Sequence, residues 1–153
     1  MCAASVVWFR NDLRLADNPA LDAAGRAGQP IVPVFIWAPE EEGRWRPGAA
    51  SRWWLHQSLT RLDADLHGLG SRLIVRPGPS LDALRDVVRT LGATAVFWNR
   101  RYEPAAITRD TAIKSALRAD GVTVATSKAA LLVEPWELRT KGGNPFQVFT
   151  PFW

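Results

Sequence analysis

The sequence predicts an α/β protein with a Rossmann-like, doubly wound sheet of five parallel strands and helices on both faces. Five short apolar runs alternate with four amphipathic segments between residues 4 and 125. The apolar runs are nearly continuous, which is typical of parallel strands that are buried on both faces. Connections between such strands are almost always right-handed, so successive helices are expected to cover both sides of the sheet.

The first strand, helix and second strand follow directly from local patterns. Ala4–Phe9 and Ile31–Trp37 are apolar runs of strand length. Between them, Asn18 is a candidate N-cap, and Pro19 suits the first position of a helix, where its missing N–H costs nothing. A helix is therefore expected from Pro19 to about Gly28, and a polar loop is expected over 38–50.

The second helix is predicted to begin at Ser51, a residue type that caps helices. Trp53 and Trp54 stand at its start, and we expect one of the two in the core. His56 lies off the apolar stripe and is expected to be exposed. The stripe that should face the sheet consists of Leu55, Leu59, Leu62 and Leu66.

The second half repeats the alternation. A third helix is expected from a Ser80 cap to Gly92, with an apolar face on one side. A fourth helix is expected from Pro104 to about Ala119. The strands predicted around these helices are Arg72–Arg76, Ala93–Trp98 and Val122–Ala125, and the apolar face of the third helix consists of Leu81, Leu84, Val88 and Leu91.

After about residue 127 the alternation stops, so we divide the chain into an α/β domain over 1–127 and an irregular segment over 128–153. This segment is expected to pack against something, since apolar residues continue to its end. They include Phe146, Val148, Phe149, Phe152 and Trp153.

Composition excludes several classes of protein. The net charge is +4, and 47% of the 153 residues are hydrophobic; these are values of an ordinary globular chain whose basic residues are scattered. Cys2 is the sole cysteine, and the two histidines lack a metal-binding spacing, so neither a disulfide nor a metal site is expected. No apolar run is long enough to span a bilayer and no signal peptide is recognisable, so we expect a cytoplasmic protein.

Candidate binding residues follow the strands at their carboxyl ends, where open α/β sheets hold ligands. These ends are Arg10–Asp17, Trp37–Gly48, Pro77–Ser80 and Asn99–Glu103. Neither a dinucleotide-binding glycine motif nor a phosphate-binding loop is present. A flat aromatic ligand, held by arginines and stacked on tryptophan, fits these ends. The charged residues of 10–17 also fit a plainer interpretation, in which they pair with one another and cap the first helix. No catalytic constellation is recognisable.

Four ordered segments show a resemblance to a known family. Residues 7–21 (VWFRNDLRLADNPAL) resemble the opening of DNA photolyases and cryptochromes, Trp-Phe-Arg-x-Asp-Leu-Arg-x-x-Asp-Asn-x-x-Leu. Further similar segments are 51–55 (SRWWL), 98–104 (WNRRYEP) with Arg109-Asp110, and 131–137 (LLVEPWE) followed by 145–153. Together they cover nearly the whole chain. Within the family, the segments are most similar to those of class I photolyases and plant-type cryptochromes.

The resemblance implies an N-terminal antenna domain that can hold a second chromophore, which is a folate, a deazaflavin or a flavin such as FMN. In this family FAD binds in a C-terminal helical domain, which also meets the damaged DNA. The segment 128–153 would lead to that domain in cis, and the chain alone would not be catalytic. Carried over residue by residue, the resemblance implies that the antenna pocket is formed by Arg10, Trp37, Arg52, Asn99, Arg101 and Glu103.

One departure bears on the chromophore. Bacterial folate-binding members carry an Asn-Glu pair where this chain has Ala105-Ala106, and their loop histidine before the second helix is absent. The leading hypothesis is a fragment of a photolyase that repairs cyclobutane pyrimidine dimers. The alternatives are a cryptochrome-like photoreceptor fragment and a free-standing Rossmann-like ligand-binding domain. The chromophore, the lesion and the oligomeric state stay open.

Overall fold

The computed structural model describes residues 3–128, 130–140 and 142–148, and it confirms the predicted doubly wound sheet. Within these residues, five parallel strands are arranged in the order β3–β2–β1–β4–β5. The order places β1 at the centre and β3 and β5 at the edges. The strands are β1 (Ala4–Phe9), β2 (Ile31–Trp37), β3 (Ile74–Pro77), β4 (Ala93–Asn99) and β5 (Thr123–Ser127).

The helices cover both faces of this sheet. Because side chains alternate along a strand, β1 sends Val7 and Phe9 into one apolar core and Val6 and Trp8 into the other. The first core is closed by α1 and α2, and the second by α3 and α4. The helices are α1 (Pro19–Arg26), α2 (Ala49–Gly68), α3 (Ser80–Leu91) and α4 (Pro104–Ala119).

Local chemistry explains where α1 begins. The Asn18 side chain accepts a hydrogen bond from the Leu21 N–H at 3.2 Å, and Pro19 is the first helical residue. The predicted cap is therefore confirmed. The loop expected over 38–50 contains a 3-10 segment, Pro39–Trp45, which is kinked at Gly43, where the backbone has a φ of 58°. That conformation favours glycine, since it has no Cβ to clash.

Two predicted helix caps are wrong. Ser51 lies inside α2, whose N-cap is Gly48, three residues before the predicted cap. Ser80 is the first residue of α3, because Pro79 occupies the N-cap position. The Ser80 N–H and hydroxyl both donate to the carboxylate of Glu41, which lies in the 3-10 segment. The Glu41 carboxylate therefore caps the start of α3, which the Ser80 side chain was expected to do.

The helix α2 packs on the sheet only through its C-terminal half. Leu62 and Leu66 are buried, whereas the leucines earlier in the stripe are half-buried. The prediction that Trp53 or Trp54 lies in the core is wrong, because their side chains are 61% and 68% exposed. His56 is exposed, as expected. No helix among the described residues is long and apolar enough to cross a membrane.

Strand β3 begins two residues later than predicted. The Leu73 N–H donates to the Asp63 carboxylate of α2 at 2.8 Å, so this N–H is not available to a neighbouring strand. Strand β5 is displaced by one or two residues from its expected bounds. These shifts leave the order and direction of the strands unchanged.

In the segment after residue 127, the described residues form turns and irregular backbone, as expected. One side chain fixes this segment to the sheet. Glu134 is 2% exposed and accepts hydrogen bonds from Arg100 Nε and Tyr102 Oη, each at 2.9 Å. Val148 is 63% exposed. Cys2 and the expected apolar end of the tail, Phe149, Phe152 and Trp153, lie outside the described residues.

Candidate functional site

A cavity of about 260 Å³ lies at the carboxyl ends of β1 and β2. Its walls combine aromatic rings with guanidinium groups, and the 3-10 segment and the start of α2 close its other sides. We call it the first cavity. The aromatic side chains that line it are Trp8, Phe35, Trp37 and Trp45, and its charged or polar ones are Arg10, Asn11, Glu42, Ser51, Ser80, Arg101 and Arg109.

Arg10 follows β1 and is buried, with 6% of its surface exposed. Its Nη1 donates to the Asp110 carboxylate and its Nη2 to the carbonyl of Asn99. The guanidinium carbon lies 4.8 Å from the centroid of the Trp8 ring. Burial lowers the pKa of Arg10, while Asp110 opposes that change. Arginine nevertheless stays protonated in proteins, so a buried cation is fixed in the cavity wall.

Arg101 is held in a fork of two carboxylates. Its Nη1 and Nη2 each donate to Glu42 at 2.7 Å, and its Nη2 and Nε donate to Glu103 at 3.0 and 3.3 Å. Burial acts to lower the pKa of Arg101, but these hydrogen bonds outweigh it and raise the pKa. The hydrogen bond from Arg101 lowers the pKa of Glu42. The pair is therefore fully charged at neutral pH and fixes the 3-10 segment to the end of β4.

Arg109, in the second turn of α4, completes the charged wall. Its Nη1 lies 3.2 Å from Glu42, and its guanidinium carbon lies 5.5 Å from the centroid of the Trp8 ring. Its Nε donates to Asp110 at 3.0 Å. Trp8 is thus flanked by two guanidinium groups, those of Arg10 and Arg109.

Three buried donors around this cavity have no hydrogen-bond partner among the described residues. They are Trp8 Nε1, Arg10 Nε and Arg109 Nη2. Arg109 Nη2 lies 3.0 Å from the Asp110 carboxylate, but without the alignment of a hydrogen bond. A buried donor without an acceptor costs about 1–3 kcal/mol. Such donors therefore favour a ligand or water that supplies acceptors here.

A second cavity, of about 400 Å³, lies between the ends of β1 and β4, where the strand order reverses. Arg10, Arg101 and Glu103 are among the residues that line it. Asn99 also lines it, but its amide is committed to the protein. Asn99 Nδ2 donates to the Asn18 side chain at 2.7 Å and to Asp12, and its Oδ1 accepts from the Ala20 N–H at 3.0 Å.

Arg52 lies apart from these two cavities. It is exposed and lines an apolar depression of about 390 Å³ between α2 and the ends of β2 and β3. Trp37 lines both this depression and the first cavity. The structure thus brings Arg10, Trp37 and Arg101 together in the first cavity. Asn99 and Glu103 line the second cavity, and Arg52 lines the apolar depression.

The plainer interpretation of 10–17 holds only in part. Arg14 and Asp17 do pair, at 3.7 Å, and Asp12 accepts from the Arg10 N–H at 2.8 Å. The Arg10 side chain, however, pairs with Asp110 on α4. Among the described residues, no group of His, Cys, Asp or Glu side chains is placed to hold a metal ion.

Residues that the sequence analysis did not assign to the pocket are Trp8, Glu42, Trp45 and Arg109. Trp8 could have been found, because it stands next to the last residue of the central strand. Arg109 could also have been found, because Arg109-Asp110 is part of a segment that resembles the family. Glu42 had only its place in the strand end 37–48, where it is one of three consecutive glutamates.

Comparisons with known proteins agree with the resemblance. The family model described as DNA photolyase matches residues 5–153. Cryptochrome-1 of Arabidopsis thaliana is 50% identical over 150 residues, which are 97% of this chain and 22% of the relative. A bacterial class III photolyase from Agrobacterium tumefaciens superposes with a TM-score of 0.90 at 45% identity, over 100% of this chain and 31% of that one.

A third similar protein is an archaeal photolyase from Sulfolobus tokodaii, whose structure is described as holding two FAD molecules, with the implication of a novel light-harvesting cofactor. It superposes with a TM-score of 0.78 at 28% identity, over 86% of this chain and 31% of that one. The chain therefore spans between about a fifth and a third of the length of these similar proteins.

Proposed function

The chain belongs to the DNA photolyase family, and from that premise we propose that it is the antenna part of a light-driven protein whose FAD-binding helical domain is a further part of the same chain. In this proposal residues 1–127 hold a light-absorbing ligand, and 128–153 lead to the FAD-binding domain. The parent protein repairs cyclobutane pyrimidine dimers in DNA. The antenna part takes no part in that chemistry and passes excitation energy on.

The observation that carries the proposal is the first cavity, with its aromatic walls and three guanidinium groups. Indole and phenyl rings stack on flat conjugated ligands. Arginines bind carboxylates and phosphates through two parallel hydrogen bonds. A folate, a deazaflavin phosphate and FMN each combine a flat ring system with an anionic tail, so all three match these two kinds of wall.

The residues of this chain have distinct tasks in the proposal. Trp37 stacks on the ring system, and Arg101, fixed by Glu42, meets the anionic tail. Trp8 Nε1, buried without a partner among the described residues, donates to a ring carbonyl or nitrogen. The ligand itself supplies only the absorption of blue light and the transfer of that energy to FAD.

A cryptochrome is the second candidate for the parent protein. Its support is the 50% identity to a plant cryptochrome, against 45% to a bacterial photolyase. The two candidates share the antenna fold and differ in whether the parent repairs DNA. A repair assay on the protein extended by an FAD-binding domain separates them, because a photolyase splits pyrimidine dimers under blue light and a photoreceptor does not. This chain alone is expected to repair none, even with added FAD.

Ligand binding is tested on this chain directly, by titrating it with a reduced folate, a deazaflavin and FMN and following the ligand's absorption and fluorescence. We expect saturable binding of one of the three. Arg101→Gln should weaken it by about tenfold, since a charged hydrogen bond of about 1.5 kcal/mol is lost. Arg85→Gln, which removes an arginine from the exposed pair with Asp120, is the matched control and should bind normally.

Arg52 is tested by its own substitution. Because it is exposed, Arg52→Ala should leave the thermal midpoint of unfolding unchanged. Arg52 lines the depression beside Trp37 and not the first cavity, so weakened binding would extend the site past Trp37 into that depression, and unchanged binding would leave Arg52 outside the site. If it instead unfolds the domain, Arg52 has a structural role and does not belong to the site. Saturable binding of none of the three ligands would refute the antenna proposal itself.

A further inference from the structure

Trp8 occupies an unusual position for the wall of a cavity that holds a light-absorbing ligand. It is 2% exposed, and its ring meets that of Trp98 edge to face, with 5.5 Å between the ring centroids. Trp98 is 1% exposed and lies in the core behind it. Indole is the side chain most easily oxidised by an excited flavin. Two indoles in contact therefore form a route by which an electron could enter the cavity and the resulting hole could leave it.

The two guanidinium groups act against that route. Arg10 and Arg109 lie 4.8 and 5.5 Å from the centroid of the Trp8 ring. Both attract the neutral ring through its quadrupole. Once the ring has lost an electron, the same two cations repel it, and this repulsion is strong because the groups are buried. Asp110 and Glu42 offset part of the positive charge, but the guanidinium groups are the charges in contact with the ring.

We propose that Arg10 and Arg109 hold Trp8 in its reduced form beside an excited ligand, so that this indole does not quench the excitation before it is transferred. This inference rests on the proposed antenna function. The suppressed step is the transfer of one electron from the Trp8 indole to the excited ligand. It would leave an indole radical cation and a ligand reduced by one electron, and the return of that electron would restore both. The arginines are positioning residues, since they act through Trp8.

The test places a flavin in the first cavity covalently and so does not depend on which ligand binds naturally. Ser51, which lines the cavity, is replaced by cysteine in a Cys2→Ser background and labelled with a thiol-reactive flavin. Trp37 and Trp45, the other indoles of the cavity wall, are replaced by phenylalanine throughout, so that Trp8 is the indole under test. Transient absorption after a blue flash then measures the yield of indole radical. We expect a low yield in the parent and a yield raised about threefold or more in Arg109→Gln, because one of two repelling charges is gone.

Companion variants separate an electrostatic effect from a structural one. Arg109→Lys keeps the cation and should restore the low yield. Trp8→Phe in the Arg109→Gln background should remove the added radical, since the donor is gone. Arg85→Gln alters an ion pair outside the cavity and should change nothing. An unchanged yield in Arg109→Gln, or a raised yield that survives Trp8→Phe, overturns the inference.

A further variant serves if Arg109→Gln does not fold. Trp8→Phe alone should leave the radical yield at its low level, because Trp8 is already silent in the parent. A marked fall in that variant would mean that Trp8 donates despite both arginines, and it would overturn the inference. Failure of free folate, deazaflavin or FMN to bind refutes the proposed function instead, and leaves this measurement on the tethered flavin intact.

Discussion

Replacing Glu42 with glutamine should lower the free energy of unfolding by about 2 kcal/mol at pH 7. Glu42 accepts two hydrogen bonds from Arg101 at 2.7 Å and one from Arg109 at 3.2 Å. Breaking a fully buried ion pair costs about 3–5 kcal/mol, and an exposed one about 0–1 kcal/mol. The side chains of Glu42 and Arg101 are 22% and 14% exposed, so a value between these limits is expected.

The pH dependence of this stability penalty distinguishes the loss of an ion pair from a loss of side-chain packing. The hydrogen bond from Arg101 lowers the pKa of Glu42, although burial opposes it. The contribution of Glu42 to stability is therefore complete above the ordinary glutamate pKa of about 4.3, and it is lost as the pH falls through the lowered value of the folded protein. The difference between the parent and Glu42→Gln should thus shrink as the pH falls below the ordinary glutamate pKa, because the unfolded parent then binds a proton more readily than the folded protein.

Urea unfolding at pH 7 and at about pH 3 measures both effects, with fluorescence as the signal. Glu40→Gln is the matched control, from the same 3-10 segment. Glu40 pairs with Arg46, and their side chains are 70% and 60% exposed, so its loss should cost less than about 0.5 kcal/mol. Equal penalties for the two variants, or a Glu42→Gln penalty that is undiminished at acid pH, would refute the reasoning.

Two further variants test packing at the strand ends and in the tail. Gly78→Ala would place a Cβ 2.4 Å from the Ala38 Cβ, so we expect the free energy of unfolding in urea to fall by about 1–3 kcal/mol. Gly25→Ala is the control, because Gly25 lies in open space inside α1, and it should be neutral or stabilising. Similar effects of the two variants would contradict the packing argument. Glu134→Ala removes the buried carboxylate that Arg100 and Tyr102 hold. Tryptic cleavage within the tail should then rise about tenfold or more, as expected for a local loss of about 1.4 kcal/mol, and unaltered cleavage would show that this carboxylate does not anchor the segment.

The regular elements could be predicted because their signals are local. A strand buried on both faces needs a continuous apolar run, and β1, β2 and β4 begin at the residues that the runs indicated. The two wrong caps have a different cause. At Ser80 the partner is Glu41, which lies thirty-nine positions earlier in the chain, and no local pattern reveals such a partner.

The exposed tryptophans show a limit of hydrophobicity as a guide. Trp53 and Trp54 are apolar, yet only the C-terminal half of α2 reaches the core. Large apolar residues are common on protein surfaces, so the identity of a residue does not decide its burial. The periodic stripe of leucines was the better guide, because Leu62 and Leu66 are indeed buried.

The candidate site was predictable as a region and less so as a set of partners. The rule that ligands bind at the carboxyl ends of strands led to Arg10, Trp37 and Arg101, which share one cavity. Which carboxylate each arginine meets depends on how α4 and the 3-10 segment fold over the sheet. Asn99 lies at the carboxyl end of a strand, as the rule requires, but its amide hydrogen-bonds to Ala20 and Asn18 and so holds the protein itself together.

The strand order also determines which strands can pair while the chain is still being synthesised. Strand β1 is synthesised first and pairs on one side with β2, which follows soon after, but on its other side with β4. Until the residues of β4 appear, one edge of the central strand is open and apolar, and such an edge can recruit other chains. At about 5–20 residues per second, this interval lasts for seconds. Nascent chains should therefore need protection by a chaperone during the synthesis of α2, β3 and α3.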